Sequence, residues 1–186
     1  VRLFQAANSI TNQYIGLVFT AMATDFYPRL SAISSNNDRI RELVNQQSEI
    51  VLLVVVPLAM LIIITTPLLI RILLTDDFAS IVPIIRFMGL GVIFKAIAFP
   101  MGYISFSKGD KMYFFSVEGI YTNLKSFFVH ALFYYFWGFW GLGLASLVSS
   151  VIDVITGCIL TKWRYQFSFS KSFLYLLQIL ILLSIL

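Results

Sequence analysis

The stretch from Ile50 to Leu74 constrains this chain more than any other. It carries no charged side chain between Ile50 and Thr65, and apolar residues continue at Leu68, Leu69, Ile70, Ile72, Leu73 and Leu74. At ~1.5 Å rise per residue, such a run crosses the ~30 Å hydrocarbon core of a bilayer. A helix on the surface of a soluble domain keeps one polar face, and the central turns of this one have none. The stretch therefore reads as a transmembrane helix. Arg29, Arg39 and Arg41 precede it while Asp76 and Asp77 follow it, an asymmetry that sets the preceding loop on the cytoplasmic side.

Composition extends the reading to the whole chain. It is 59% apolar and 12% charged, with mean hydropathy +0.89, whereas soluble domains are about a quarter charged. The fold class is all-α, a polytopic transmembrane helix bundle. Six spans are predicted, over residues 3–27, 50–74, 82–106, 112–137, 142–163 and 173–186, all in one transmembrane domain. The last begins an apolar run that ends with the chain, so the sequence reads as a piece of a longer protein. Nothing at the start resembles a signal peptide. Cys158 is the one cysteine and His130 the one histidine, so neither a disulfide nor a multi-residue metal centre is expected. No cofactor is implied.

The loops test the topology. Basic residues number three in 29–49, none in 75–80, two in 108–111, none in 138–141 and three in 162–171. Strict alternation is what consecutive spans give under the positive-inside rule, and it starts residue 1 on the extracytoplasmic side. It also accounts for the net charge of +4 without nucleic acid. Tyr134, Tyr135, Trp137 and Trp140 ring one turn, and Trp163 and Tyr165 mark the opposite interface. Asn36-Asn37-Asp38 reads as a turn or helix cap, followed by a surface-lying amphipathic helix that leads into the second span. Pro57 and Pro67 are expected to bend that span.

Some polar residues fall where lipid should be. Lys95, Lys125 and Asp153 sit near the centres of their spans, where a charge costs roughly 2.5–3.5 kcal/mol unless it meets protein or water. Lys125 and Asp153 lie symmetrically about residue 139, so a hairpin centred there brings them to equal depth as an ion pair. Such a pair either fixes helix register or serves a substrate. Lys125 shares its face with Glu118, Tyr121 and Thr122, and Asp153 shares its own with Ser146, Ser149, Ser150, Thr156 and Gly157. Lys95 lies among Gly91, Ala98 and Gly102, small residues that permit close helix approach or line a cavity. No acid is obviously level with it, so Lys95 is the leading candidate for a substrate-binding cation. In the first span Gln5, Asn8, Ser9 and Asn12 form a polar face that must meet protein or water. Asp25 and Arg29 suit a local i,i+4 pair or a gate contact. Enzyme chemistry has no support: there is no metal-ligand cluster, no phosphate-binding glycine loop and no nucleophile–base set.

The order of short motifs then becomes informative. It runs Thr24-Asp25-Phe26-Tyr27-Pro28-Arg29-Leu30-Ser31, Val44-Asn45-Gln46-Gln47-Ser48-Glu49, Val56-Pro57-Leu58 and Leu73-Leu74-Thr75-Asp76-Asp77-Phe78. Phe94-Lys95-Ala96, Phe99-Pro100-Met101-Gly102-Tyr103, Lys108-Gly109-Asp110, Glu118 and Gly141-Leu142-Gly143-Leu144-Ala145 complete it. The series resembles the C-terminal half of bacterial polysaccharide flippases, the O-antigen translocase (Wzx-like) branch of the MOP exporter superfamily. The resemblance implies one lobe of a two-lobed transporter in the bacterial cytoplasmic (inner) membrane. Its substrate would be a polyprenyl-diphosphate-linked oligosaccharide, an O-antigen or capsule repeat unit. Translocation would proceed by alternating access, with membrane lipids and polysaccharide polymerase or ligase machinery as partners. On that expectation Lys95, Lys125, Asn8 and Asn12 line the substrate cavity, while Asp153, Glu118, Asp25 and Arg29 are coupling or structural charges. A small-cation antiporter of the MATE kind, which would favour acidic cavity residues, and a non-transport membrane scaffold are the rival readings.

Overall fold

The computed structural model describes residues 8, 9, 14–73 and 81–185. The described elements are helices α1 (Tyr14–Ala32), α2 (Asn37–Leu73) and α3 (Val82–Ser107), a single turn α4 (Lys111–Phe114), a π-helical segment (Phe115–Tyr121), α5 (Thr122–Tyr165) and α6 (Lys171–Ile185). No strand occurs among the described residues. Among the described residues three stretches are long and apolar enough to cross a membrane: Asn37–Leu68, Val82–Ser107 and Lys111–Tyr165. The third is two spans in one. Gly138, at φ 60° and ψ −143°, breaks α5 in a conformation glycine alone adopts readily. The arms on either side, 111–137 and 139–165, fold back on each other. At ~1.5 Å per residue each arm is ~40 Å long, enough for a bilayer.

Chain direction alternates through the bundle. The connections 33–36, 108–110 and 166–170 meet at one end, tied by Lys108 Nζ donating to the Ser34 carbonyl (2.9 Å) and to Asn37 Oδ1 (2.8 Å). Arg41 donates to the Gln166 carbonyl at 2.9 Å, and Asn45 both donates to the Ser168 carbonyl and accepts from the Ser170 amide. Asp110 caps α4 and takes hydrogen bonds from Arg164 (2.6 Å) and Tyr165 (2.9 Å). At the other end Ile70, Ile81, Ile84, Ile85 and Met88 pack together with Phe139 against them. The three basic connections therefore share one end of the bundle, and Gly138 lies at the other.

Helix α3 is the central element. Residues on most of its faces are buried, among them Ile84, Ile85, Met88, Val92, Ala96, Ile97, Met101 and Ile104, and it packs between α2 and the second arm of α5. Glycine makes that packing close. A β-carbon on Gly91 would lie 3.3 Å from the Ser146–Leu147 backbone, and one on Gly143 would lie 2.8 Å from the Ile84 Cα. Small residues set the distance between helix axes here, as membrane helices use them. Leu53, Leu61, Ile64 and Leu68 of α2 point outward, the face expected to meet lipid.

Four features differ from the sequence reading. The amphipathic segment before the second span is not a separate surface helix: α2 runs unbroken from Asn37, capped by Asn36 Oδ1 accepting the Asp38 and Arg39 amides. Its buried Ile40 and Val44 continue the inward stripe of the span, so nothing breaks the helix between them. Helix α1 continues to Ala32 through Pro28, past the predicted end at 27. Between the predicted spans 112–137 and 142–163, only Gly138 leaves helical geometry. The fourth span opens with α4 and the π-helical segment, which no periodicity marked. Gln5 and Asn12 of the predicted polar face lie outside the described residues, as do Asp76 and Asp77.

Candidate functional site

A cavity of about 590 Å³ opens between α1, α3, the π-helical segment and the second arm of α5. Its charged lining residues are Lys95, Glu118 and Asp153. Lys95 projects from the middle of α3, Asp153 from the middle of the second α5 arm, and Glu118 from the π-helical segment. A π turn takes one extra residue per hydrogen-bonded ring, which rotates the side chains that follow relative to an α-helix. The Val117 carbonyl accepts both the Thr122 amide and Thr122 Oγ1, the latter at 3.0 Å, and Asn123 donates to the Gly119 carbonyl at 2.7 Å. Glu118 Oε1 sits 3.3 Å from where a β-carbon on Gly102 would be. Gly102 thus makes the room for the carboxylate.

The hairpin symmetry is realised. Lys125 Nζ forms an ion pair with Asp153 Oδ1 and also donates to the Ser149 carbonyl at 3.1 Å. Its side chain is 8% exposed and that of Asp153 26%. Two further polar rungs join the same arms. Tyr121 and Thr156 hydroxyls meet at 3.1 Å, and His130 bridges the Ser126 carbonyl (2.8 Å) and Ser146 Oγ (3.2 Å). The midpoints of the three rungs fall at 139 for Lys125–Asp153, between 138 and 139 for Tyr121–Thr156 and at 138 for His130–Ser146, as a reversal at Gly138 requires. His130 is accordingly a structural bridge.

The predicted site residues separate into groups. Lys95 lines the cavity. Lys125 does not: it is turned into the hairpin seam, where Asp153 and Ser149 hold it. Gly91, expected on one reading to leave room near Lys95, is instead filled by the α5 backbone. The expectation that no acid is level with Lys95 is corrected as well. Asp153 attracts the Lys95 charge and Lys125 repels it, because the second arm of α5 brings Asp153 to α3, and Glu118 of the π-helical segment lines the same cavity. Asn8 is exposed and is not among the described residues that line the cavity; Asn12 lies outside the described residues. Asp25 and Arg29 form an i,i+4 pair at 3.1 Å with side chains 73% and 56% exposed. Such a pair contributes little. No group of three or more potential metal ligands occurs among the described residues.

The aromatic part of the wall went unread in the sequence. Phe99, Tyr103 and Phe106 follow Lys95 on α3 and line the cavity with it. Their spacing of i, i+4, i+8 and i+11 is one helix face, a signal available in the sequence but masked by phenylalanine on every side of this chain.

With the site in view, comparison with known proteins adds one match. Residues 2–83 match the family model described as polysaccharide biosynthesis protein. Over those 82 of its 186 residues the chain is similar to that family. The match is consistent with the flippase resemblance of the motifs, and the three membrane-capable stretches fit a membrane protein. No curated protein and no solved structure matches the chain. The matched segment ends at the start of α3, so of the cavity's lining residues only Phe19 falls within it.

Proposed function

We propose that this chain forms one lobe of a flippase that carries a polyprenyl-diphosphate-linked oligosaccharide across the cytoplasmic membrane. One observation carries the reading: a chain similar over residues 2–83 to the polysaccharide biosynthesis protein family holds a lysine, Lys95, in a cavity halfway along membrane-capable helices. A sugar–diphosphate headgroup cannot cross hydrocarbon without counter-charge and hydrogen-bonding partners. Lys95 supplies a point charge suited to phosphate. Asp153 acts on both lysines, on Lys125 through the ion pair and on Lys95 across the cavity, while Glu118 lines the same wall. In this reading the end bearing residues 33–36, 108–110 and 166–170 is cytoplasmic, following the positive-inside rule.

The test is complementation of a flippase-deficient strain with the full-length protein, measuring both surface glycan and membrane-inserted protein. Lys95→Arg should retain part of the export. Lys95→Ala and Lys95→Glu should abolish it at normal protein levels. Normal glycan from Lys95→Glu would overturn the assignment. The presence of Glu118 and Asp153 on the same wall favours a second reading, a cation antiporter, in which Lys95→Glu would strengthen transport of an organic cation and Glu118→Gln would abolish it.

A further inference from the structure

Aromatic rings form a continuous file along the cavity. Phe19 stacks on Phe99 with centroids 4.7 Å apart, Phe99 meets Tyr103 edge-on at 5.1 Å, and Tyr103 meets Tyr27 at 6.2 Å. Tyr27 then meets Phe106 at 4.8 Å, and Phe106 meets Phe114 at 5.2 Å. Every ring of the file except Tyr27 lines the cavity. The file starts one helical turn from Lys95 and ends beside the polar connection 108–110. The distance from Lys95 to Phe106 along α3 is ~16 Å at ~1.5 Å per residue.

Three properties of this wall identify what it fits. First, the rings step along α3 by about one helical turn, ~5 to 6 Å, comparable with the length of one pyranose in a chain. Second, an aromatic face carries partial negative charge and so attracts the C–H-rich face of a sugar ring, while the sugar hydroxyls stay free. Third, the wall is not purely apolar: Tyr103, Tyr113 and Tyr121 are phenols, and Thr122, Thr156 and Thr161 stand across from or beside them. A prenyl chain needs no hydroxyls. A sugar chain uses both kinds of surface. The cationic residue at the middle of α3 and the ring file leading from it toward the connection 108–110 have the polarity of a glycosyl diphosphate, phosphate at the helix centre and sugars toward its end.

We propose that Phe99, Tyr103 and Phe106, backed by Phe19 and Tyr27, are a saccharide-binding track that holds successive sugars of the oligosaccharide by their apolar faces while Lys95 holds its diphosphate. The track rests on the flippase reading only for the identity of the attached diphosphate lipid. Its ring geometry is independent of Lys95.

The experiment uses the purified full-length protein and three separate probes: the oligosaccharide hydrolysed from the strain's own surface polysaccharide, inorganic pyrophosphate, and farnesol. Binding is read by tryptophan fluorescence and by ligand-dependent thermal shift. Phe99→Leu and Tyr103→Leu keep apolar volume but remove the ring; Tyr103→Phe keeps the ring and serves as the folding control. Each Leu variant should bind the oligosaccharide about three- to tenfold more weakly and pyrophosphate as wild type does, with Tyr103→Phe near wild type. Lys95→Ala should show the converse. Unchanged oligosaccharide binding in both Leu variants would overturn the track, as would wild-type protein that binds pyrophosphate but not the oligosaccharide; in both cases the flippase reading survives. Loss of farnesol binding alone in the Leu variants would also overturn it, assigning the file to the lipid tail. Wild-type protein that binds neither sugar nor pyrophosphate would overturn both readings.

Discussion

The Lys125–Asp153 pair yields the most quantitative expectation. Removing one partner of a buried ion pair typically costs 3–5 kcal/mol, because the other charge is left buried without compensation. The two partners here are not equivalent. Lys125 is 8% exposed and keeps only the Ser149 carbonyl when Asp153 is gone. Asp153 is 26% exposed, faces the cavity, and retains the field of Lys95 when Lys125 is gone. Asp153→Ala should therefore cost about 3 kcal/mol, at the low end of that range, and Lys125→Ala about half as much. For a chain of this size 1 kcal/mol corresponds to roughly 2–4 °C in Tm, so the first substitution should lower Tm by roughly 6–12 °C. The double alanine variant leaves no orphaned charge and should lose about 1–2 kcal/mol less than the sum of the singles. The assay is thermal unfolding of the full-length protein in detergent, as a double-mutant cycle. Strictly additive losses would mean that the two groups do not meet. A larger loss from Lys125→Ala than from Asp153→Ala would refute the argument from unequal burial.

Further expectations follow from backbone geometry and from the loop network. Gly138→Ala should lower the yield of folded protein by a cost of about 1–3 kcal/mol, since its φ of 60° with ψ −143° is closed to L side chains; normal yield and Tm would show that the hairpin can turn elsewhere. Gly141→Ala should also destabilise, because a β-carbon there collides with the Phe133 carbonyl, while Gly16→Ala, which meets nothing within 4 Å, should be neutral or slightly stabilising. The hydrogen bond from Arg164, with that of Tyr165, holds the Asp110 carboxyl below its ordinary value of 3.8 despite opposing desolvation. Its stabilisation is fully present above that ordinary value and is lost as pH falls through the lowered one. An acid titration of Tm should therefore be shallower in Asp110→Asn than in wild type at the lowest pH, and identical slopes would exclude Asp110. Finally, a cysteine at residue 110 on a Cys158→Ser background should resist a membrane-impermeant thiol reagent in intact cells. Labelling from outside would invert the proposed orientation.

Helix content and the sites of reversal were legible locally. An uncharged run from Ile50 to Thr65 and the basic connection 108–111 are statements about nearest neighbours, and hydropathy and charge read them directly. The Lys125–Asp153 pair was legible too, because a tight antiparallel hairpin turns sequence symmetry into spatial depth. What lies across α3 was not. Whether Lys95 faces an acid depends on the rotation and approach of α5 against α3, which Gly91 and Gly143 set by letting backbones touch. The π-helical segment that carries Glu118 to Gly102 leaves no periodic trace, since its extra residue per turn is stabilised by Thr122, Asn123 and the cavity wall. The same holds for the aromatic file, where Phe19 and Tyr27 of α1 meet rings of α3 far along the chain. In a membrane the hydrophobic effect does not choose which apolar face turns inward, because lipid is as apolar as the core. That choice falls to shape and to the few polar contacts, and these exist only once the helices have packed.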